Sequence, residues 1–286
     1  MKILFCADIH AHPSHLEQLA QEALAYCPDA LIIGGDIVPH HLPQAQALGL
    51  LDAQAVYLEN TLVPTLKRLK ARRNMGIYLD LSNDDFAGNR HILEHYQGRL
   101  LELLHMQKHR LTAHIDVIGY MIVPPTPFQR KDWEKPDAGD HPYAPGTRVR
   151  LKGYATGRGR IEETVLDLDS NDTMDKDLEK LSVQVQRPFI FVSHCPPFDT
   201  PLDILSNGSH AGSISIRRFI ERWSNDGRLV ASLHGHIHES PQISGRIHTR
   251  INQTLCINPG QRDVLQFAIL EITGPADKPQ VNLLES

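Results

Sequence analysis

Lys2-Ile3-Leu4-Phe5-Cys6-Ala7-Asp8-Ile9-His10 is the stretch that decides the fold class. Its apolar run, residues 2–7, is bounded by Asp8 and fits a buried strand. Ser14 is placed to cap a helix. Leu16, Leu19, Ala20, Ala23 and Leu24 then recur at helical spacing between His15 and Tyr26. Ala30-Leu31-Ile32-Ile33 is a second apolar strand, stopped by Gly34-Gly35-Asp36. Strand, helix and strand in this order make a sheet with a covering helix, so the class is α/β.

Outward from there, residues 43–72 read as a long helix disturbed at Pro64. Residues 76–81 are a third strand, stopped by Ser82-Asn83-Asp84-Asp85. A helix over residues 90–108, weak at Gly98, leads to a strand pair, 115–118 and 120–123, around Gly119. Residues 124–160 hold six prolines and no apolar period, which predicts a mobile loop-rich insertion in a single domain spanning 1–286. A short helix at 175–181, a strand at 189–192 stopped by Ser193-His194, and a helix at 215–223 follow. The strand Leu229–Leu233 is stopped by His234-Gly235-His236, and strands at 255–257 and 264–272 complete the chain.

The net charge of −5 gives no overall field for holding nucleic acid or an anionic membrane. The N-terminal apolar run is too short for a signal-peptide core, and no stretch is long enough to span a bilayer. Cys6, Cys27, Cys195 and Cys256 form no CxxC pair. Reduced thiols and a cytoplasmic location are the expectation. The 17 histidines are the compositional anomaly.

Five apolar strands end in metal-ligand or turn residues: Asp8-Ile9-His10, Gly35-Asp36, Asn83-Asp84, Ser193-His194, and His234-Gly235-His236-Ile237-His238. Strand ends form the ligand crevice of open α/β sheets. In extended chain, residues i and i+2 point the same way, so Asp8 with His10, and His236 with His238, can each serve one site. Carboxylate, imidazole and amide oxygen together suit Mn²⁺, Fe²⁺ or Zn²⁺. Asp36, flanked by glycine, is the natural carboxylate to bridge two ions. Any one motif alone would be an ordinary turn or a strand-end histidine.

In this order the motifs resemble the calcineurin-like metallophosphoesterase superfamily over about residues 2–270. Asn258-Pro259-Gly260 and Gly212-Ser213 resemble its simple prokaryotic-type branch. The resemblance implies a four-layer αββα sandwich of two mixed sheets flanked by helices. It implies two divalent ions, Mn²⁺ foremost, with Fe, Zn or Ni as alternatives. One ion takes Asp8, His10, Asp36 and His238; the other takes Asp36, Asn83, His194 and His236. The implied reaction is hydrolysis of a small-molecule phosphate ester by a metal-bridging hydroxide.

The family's third motif carries a His where this chain has Asp84, and a Gly where it has Ser82. In many members that His serves the leaving group. An Asp is charged at neutral pH unless its surroundings raise its pKa. The catalytic candidates are thus Asp84 and Asn83, with His210 or His91 as replacements for the missing His. Its absence favours diesters over monoesters. A phosphomonoesterase, a nuclease and a non-catalytic scaffold are the competing readings. The other histidines, His40 among them, read as surface or loop residues. The basic run Arg148, Arg150, Lys152, Arg158 and Arg160 either lies in solvent or reaches over the site, and Trp133, Tyr143 and Phe128 either cover a substrate ring or pack locally.

Overall fold

The computed structural model describes residues 1–41, 49–138, 150–157, 159–275 and 278–285. Among these, fourteen strands are β1 Lys2–Cys6, β2 Ala30–Ile33, β3 Gly76–Leu79, β4 Glu102–Leu103, β5 Lys108–Arg110, β6 Asp116–Tyr120, β7 Lys152–Gly157, β8 Arg160–Val165, β9 Phe189–Ser193, β10 Leu229–Leu233, β11 His248–Ile251, β12 Thr254–Ile257, β13 Ala268–Thr273 and β14 Gln280–Glu285. Seven α-helices are α1 His15–Tyr26, α2 Leu50–Tyr57, α3 Val63–Arg72, α4 Arg90–Glu94, α5 Met174–Ser182, α6 Ile214–Asp226 and α7 Ser240–Ser244.

Two mixed six-stranded sheets form the centre, ordered β14-β13-β1-β2-β3-β4 and β11-β12-β10-β9-β6-β5. The runs β1-β2-β3-β4 and β12-β10-β9-β6 are parallel. Parallel strands buried on both faces read as continuous apolar runs, and β1, β2 and β9 are such runs. Parallel neighbours also send their C-terminal ends to the same edge. Helices flank the sheets: α1 packs on α3, and α6 packs on α5 and β10. This is the layered α/β sandwich expected.

Several local readings are corrected. Ser14 precedes α1, but its side chain makes no cap bond to the helix; its hydroxyl lies against His12 instead. The long helix breaks before Pro64, not at it. A π-helical turn, Leu58–Leu62, separates α2 from α3. Proline lacks the N–H for the i−4 bond and its ring crowds that carbonyl, and a widened turn accommodates both. Residues 42–48 of that reading lie outside the described residues.

The helix read over 90–108 stops after five residues. Gly98 there takes a φ of 75°, and Leu101, Leu103 and Leu104 are buried at the sheet edge. Tertiary burial has overridden helical spacing. Residues 115–123 hold one strand rather than two. A Cβ on Gly119 would lie 2.5 Å from the Leu104 carbonyl oxygen, so glycine lets another segment cross mid-strand.

The 124–160 reading is corrected at both ends, while residues 139–149 and 158 lie outside the described residues. Residues 131–138 are buried or half-buried. There Lys131 and Glu134 form an ion pair at 2.8 Å, and Trp133 donates its indole N–H to the Asp85 carbonyl. β7 and β8 form a two-stranded ribbon. Burial alternates along its strands, but the exposed positions include the apolar Tyr154, Ile161 and Val165, which hid the strands from a hydrophobic-periodicity argument.

Candidate metal centre

The C-terminal ends of β1, β2, β3, β9 and β10 converge on one edge. β1 delivers Asp8 and His10, β2 Asp36, β3 Asn83 and Asp84, β9 His194, and β10 His236 and His238. In each of three groups the ligand-type atoms lie within 4.8 Å of one another: Asp8, His10 and His238; Asp36, His194 and His236; and His10, Asp36 and Asp84. His10 Nε2 is 3.2 Å from His238 Nε2, and His194 Nε2 is 3.3 Å from Asp36 Oδ2. Asp36 joins the groups, being 3.9 Å from His10 Nε2 as well.

The backbone is bent hard to achieve this. Asp8, His10, Asp36 and His236 all have left-handed φ, between 47° and 69°. Non-glycine residues adopt that region at a cost and persist there where surrounding contacts over-determine them. Those contacts are visible. The His236 N–H donates to both Asp8 oxygens, at 3.1 and 3.0 Å. The Asp84 N–H donates to Asp36 Oδ1 at 2.9 Å. A Cβ at Gly235 would fall 2.4 Å from Asp8 Oδ2, so only glycine lets this loop approach the carboxylate.

Charge in the cluster is matched. Against the opposition of burial, His238 and His194 hold Asp8 below the usual carboxylate range. His194 and His10 do the same for Asp36. Reciprocally, and again despite burial, Asp36 and Asp8 raise His194 to about 9, and Asp8 raises His238 to about 9. Burial and the neighbouring His194 push His236 down to about 3. Two imidazolium ions thus offset two carboxylates where cations would sit.

The residues fit divalent ions. The buried atom Asn83 Oδ1 has no hydrogen-bond partner among the described residues, and His194 Nε2 faces the Asp36 carboxylate, at 3.3 Å. An orphaned buried polar atom is costly, and a cation would satisfy Asn83 Oδ1. His194 Nδ1 lies 2.7 Å from the Gly34 carbonyl, which fixes the tautomer that leaves Nε2 facing the carboxylates.

The three other candidates relate to this geometry in different ways. Asp84 sits beside the cluster, its Oδ2 3.8 Å from His10 Nδ1, but its Oδ1 is taken by the Arg130 guanidinium. Burial and the charge of Asp36 raise its pKa, while Arg130 and His10 pull against them. His210 contacts Asp203, at 2.8 Å, together with Asp199 and Phe198, none of them cluster residues. His91 is exposed, with Nδ1 2.7 Å from the Gly88 carbonyl. His234 is fully buried among Ser193 and Cys195 backbone atoms and is a core histidine.

Four residues were not legible as parts of the site. Asp85 accepts from the N–H groups of Ile37, Val38 and Ser82 and so clamps the Asp36 loop to the third motif. Asn258 donates to the carbonyls of Leu202, Gly235 and Ile237, which holds the His236 loop. Its Asn-Pro-Gly setting is visible in the sequence, but this role is not. His40, read as a surface residue, packs edge-on against His10 with ring centroids 4.5 Å apart. Arg130 had no sequence signal. Of the basic run, Arg150, Lys152 and Arg160 are exposed, and Arg148 and Arg158 lie outside the described residues, as does Tyr143. Trp133 packs locally; Phe128 is exposed.

The calcineurin-like phosphoesterase family profile matches residues 1–67. An uncharacterized protein of Methanocaldococcus jannaschii is 34% identical over 115 residues, 39% of this chain and 50% of that protein. The matched stretch therefore spans half the length of that curated relative. A crystal structure from Thermus thermophilus superposes with a TM-score of 0.56 at 12% identity, over 99% of both chains. A dimetal phosphatase from Danio rerio does so with a TM-score of 0.56 at 9% identity, over 100% of this chain and 99% of that one. Among the described residues, no helix is long and apolar enough to cross a membrane.

Proposed function

We propose that this chain, which has the metallophosphoesterase fold and a calcineurin-like N-terminal sequence, is a binuclear metal-dependent phosphodiesterase. Its substrate is a phosphodiester of a small molecule or nucleotide. Asp8, His10, Asp36 and His238 hold one divalent ion; Asp36, Asn83, His194 and His236 hold the other, with Mn²⁺ the preferred metal. The observation that carries this reading is the gathering of carboxylate, imidazole and orphaned amide groups from five strand ends.

When bound, the ions supply a nucleophilic water at neutral pH and offset charge on the phosphoryl oxygens. The protein's own residues do the rest. Asp36 is placed by the Asp84 N–H, and Asp8 by the His236 N–H. The Gly34 carbonyl sets the imidazole of His194. The family's leaving-group imidazole is replaced at position 84 by a carboxylate paired with Arg130, which favours diesters with weakly basic leaving oxygens.

Metal content and hydrolysis of bis(p-nitrophenyl) phosphate and p-nitrophenyl phosphate test the reading on Mn²⁺-loaded protein. About two ions per chain, with faster turnover of the diester, is the expected result. Fewer than one ion per chain would leave a scaffold with the fold alone. Preference for the monoester would keep the enzyme and reverse the substrate class.

A further inference from the structure

Arg130, itself half-buried, lies in the segment before β7, paired in register with Tyr154 of that strand. One Nη donates to Asp84, and the other to the His40 carbonyl at 3.0 Å. Asp84 is in turn bonded through its backbone to Asp36 and stands 3.8 Å from His10. The guanidinium is therefore one carboxylate away from two residues of the cluster. Its Nε is buried without a hydrogen-bond partner among the described residues. Of the five N–H donors an arginine carries, two are committed.

The segment holding it is anchored two and three residues further on. The Trp133 indole N–H donates to the Asp85 carbonyl at 2.9 Å, and Asp132 accepts the Ala87 N–H at 3.0 Å. Both anchors fall on the third motif or the residues just after it. The Arg130 side chain is 14% exposed. A desolvated, rigidly seated guanidinium with spare donors, next to a cluster suited to phosphate, is matched to a phosphoryl oxygen.

We propose that Arg130 is a substrate-binding residue of this site, seated by Asp84 as a positioning residue, and that it restricts the substrate to esters or anhydrides with a weakly basic leaving oxygen. This rests on the phosphoesterase reading. A guanidinium binds a phosphoryl oxygen in two-pronged fashion but does not give up a proton near neutral pH. In the hydrolysis, water adds to phosphorus and loses a proton to solvent. The bond from phosphorus to the leaving oxygen breaks, the electron pair stays on that oxygen, and solvent supplies its proton. Aryl and phosphoryl leaving groups depart this way readily; alkyl alcohols do not.

The test uses Mn²⁺-loaded full-length protein and inorganic phosphate as the probe, by calorimetry, with metal content measured on the same samples. Arg130→Ala is expected to bind phosphate roughly tenfold or more weakly with its metal content unchanged. Arg130→Lys, which keeps charge without the fork, falls between, and so does Asp84→Asn. Wild-type turnover across a series of diesters is expected to fall steeply as the leaving group becomes more basic. Wild-type phosphate affinity in Arg130→Ala overturns the proposal, as does a flat leaving-group series. Loss of metal in Arg130→Ala would make the residue a support of the cluster and also overturn it. A wild-type protein that takes up no ions would take down the phosphoesterase reading and this inference together; the other negative outcomes leave that reading standing.

Discussion

The strand-end cluster and the segment from Arg130 to β8 meet at one carboxylate, Asp84, yet they are held by different forces. The cluster grows from strands with almost no exposed surface, and its loops are locked by backbone N–H groups on Asp8, Asp36 and Asp85. The other region, residues 130–138 with β7 and β8, joins a partly buried stretch to a half-exposed ribbon. Arg130, Asp132 and Trp133 tie it to the residues around the third motif, and backbone bonds of Lys131 and Tyr154 hold the ribbon to that stretch. Charge buried in a sheet edge cannot be rearranged without unfolding its neighbours. A half-exposed ribbon held by separate contacts can be loosened one contact at a time. Chemistry should therefore fail together on the first side and by degrees on the second.

The largest effect tests that unity. Asp36 faces His10 and His194, so Asp36→Asn removes charge from both halves of the cluster at once. Metal content is expected to fall from about two ions per chain to fewer than one, and ester hydrolysis with it. Elemental analysis decides; loss of a single ion would divide the cluster into independent halves.

Protons compete for the same positions. With pKa values raised to about 9, His194 and His238 are protonated in the metal-free protein below that pH. Each ion must then displace one proton, so apparent affinity should drop about tenfold per pH unit for each ion as pH falls below 9. Titrations with Mn²⁺ at several pH values would show that slope. The metal-free fold responds in the other direction. Stability from these two groups is complete below the unfolded value of 6.5 and is lost as pH rises through about 9. His236 and His234, held neutral with values pushed down to about 3, cost stability as pH falls below 6.5. Metal-free protein should therefore be least tolerant of denaturant at both ends of this range, whereas metal-loaded protein should improve toward pH 9.

The contrast also explains what was legible in the sequence. β1, β2, β9 and β10 are buried on both faces, so they appear as unbroken apolar runs that end where the chain meets the ligand edge. Asp8, His10, Asp36, His194, His236 and His238 stand at those ends and could be read with them. Asp85 and Asn258 act through backbone atoms brought together from afar: Asn258 reaches Leu202, 56 positions away. No local pattern reports such a bond. Arg130 is set by a pairing with Asp84 across 46 positions and by a ribbon whose apolar residues do not follow its alternating burial. Leu100 to Leu104 mislead for the opposite reason, because leucines suit a helix until a sheet edge buries them.

Asn258→Ala asks how far loop support matters to the cluster. Three carbonyls, those of Leu202, Gly235 and Ile237, would lose their common donor. Ligands would remain while their orientation loosens, so metal affinity is expected to drop about 10–100-fold with the sheets intact by circular dichroism. An unchanged affinity would show that the bonds to Asp8 hold the His236 loop unaided.

Asp132→Ala is the smallest of these changes and separates the two regions most directly. Asp132 accepts from the Thr156 N–H at 2.7 Å, the Thr156 hydroxyl at 2.8 Å and the Ala87 N–H at 3.0 Å. These bonds tie β7 to the residues after the third motif. They are partly exposed, so water can replace some of what is lost, and the cost should be about 1–2 kcal/mol. Amides of β7 and β8 should exchange with solvent faster, while metal content stays that of the wild type. If metal is lost instead, the ribbon is a structural wall of the cluster, and the distinction between a locked centre and a loosely fastened flank fails.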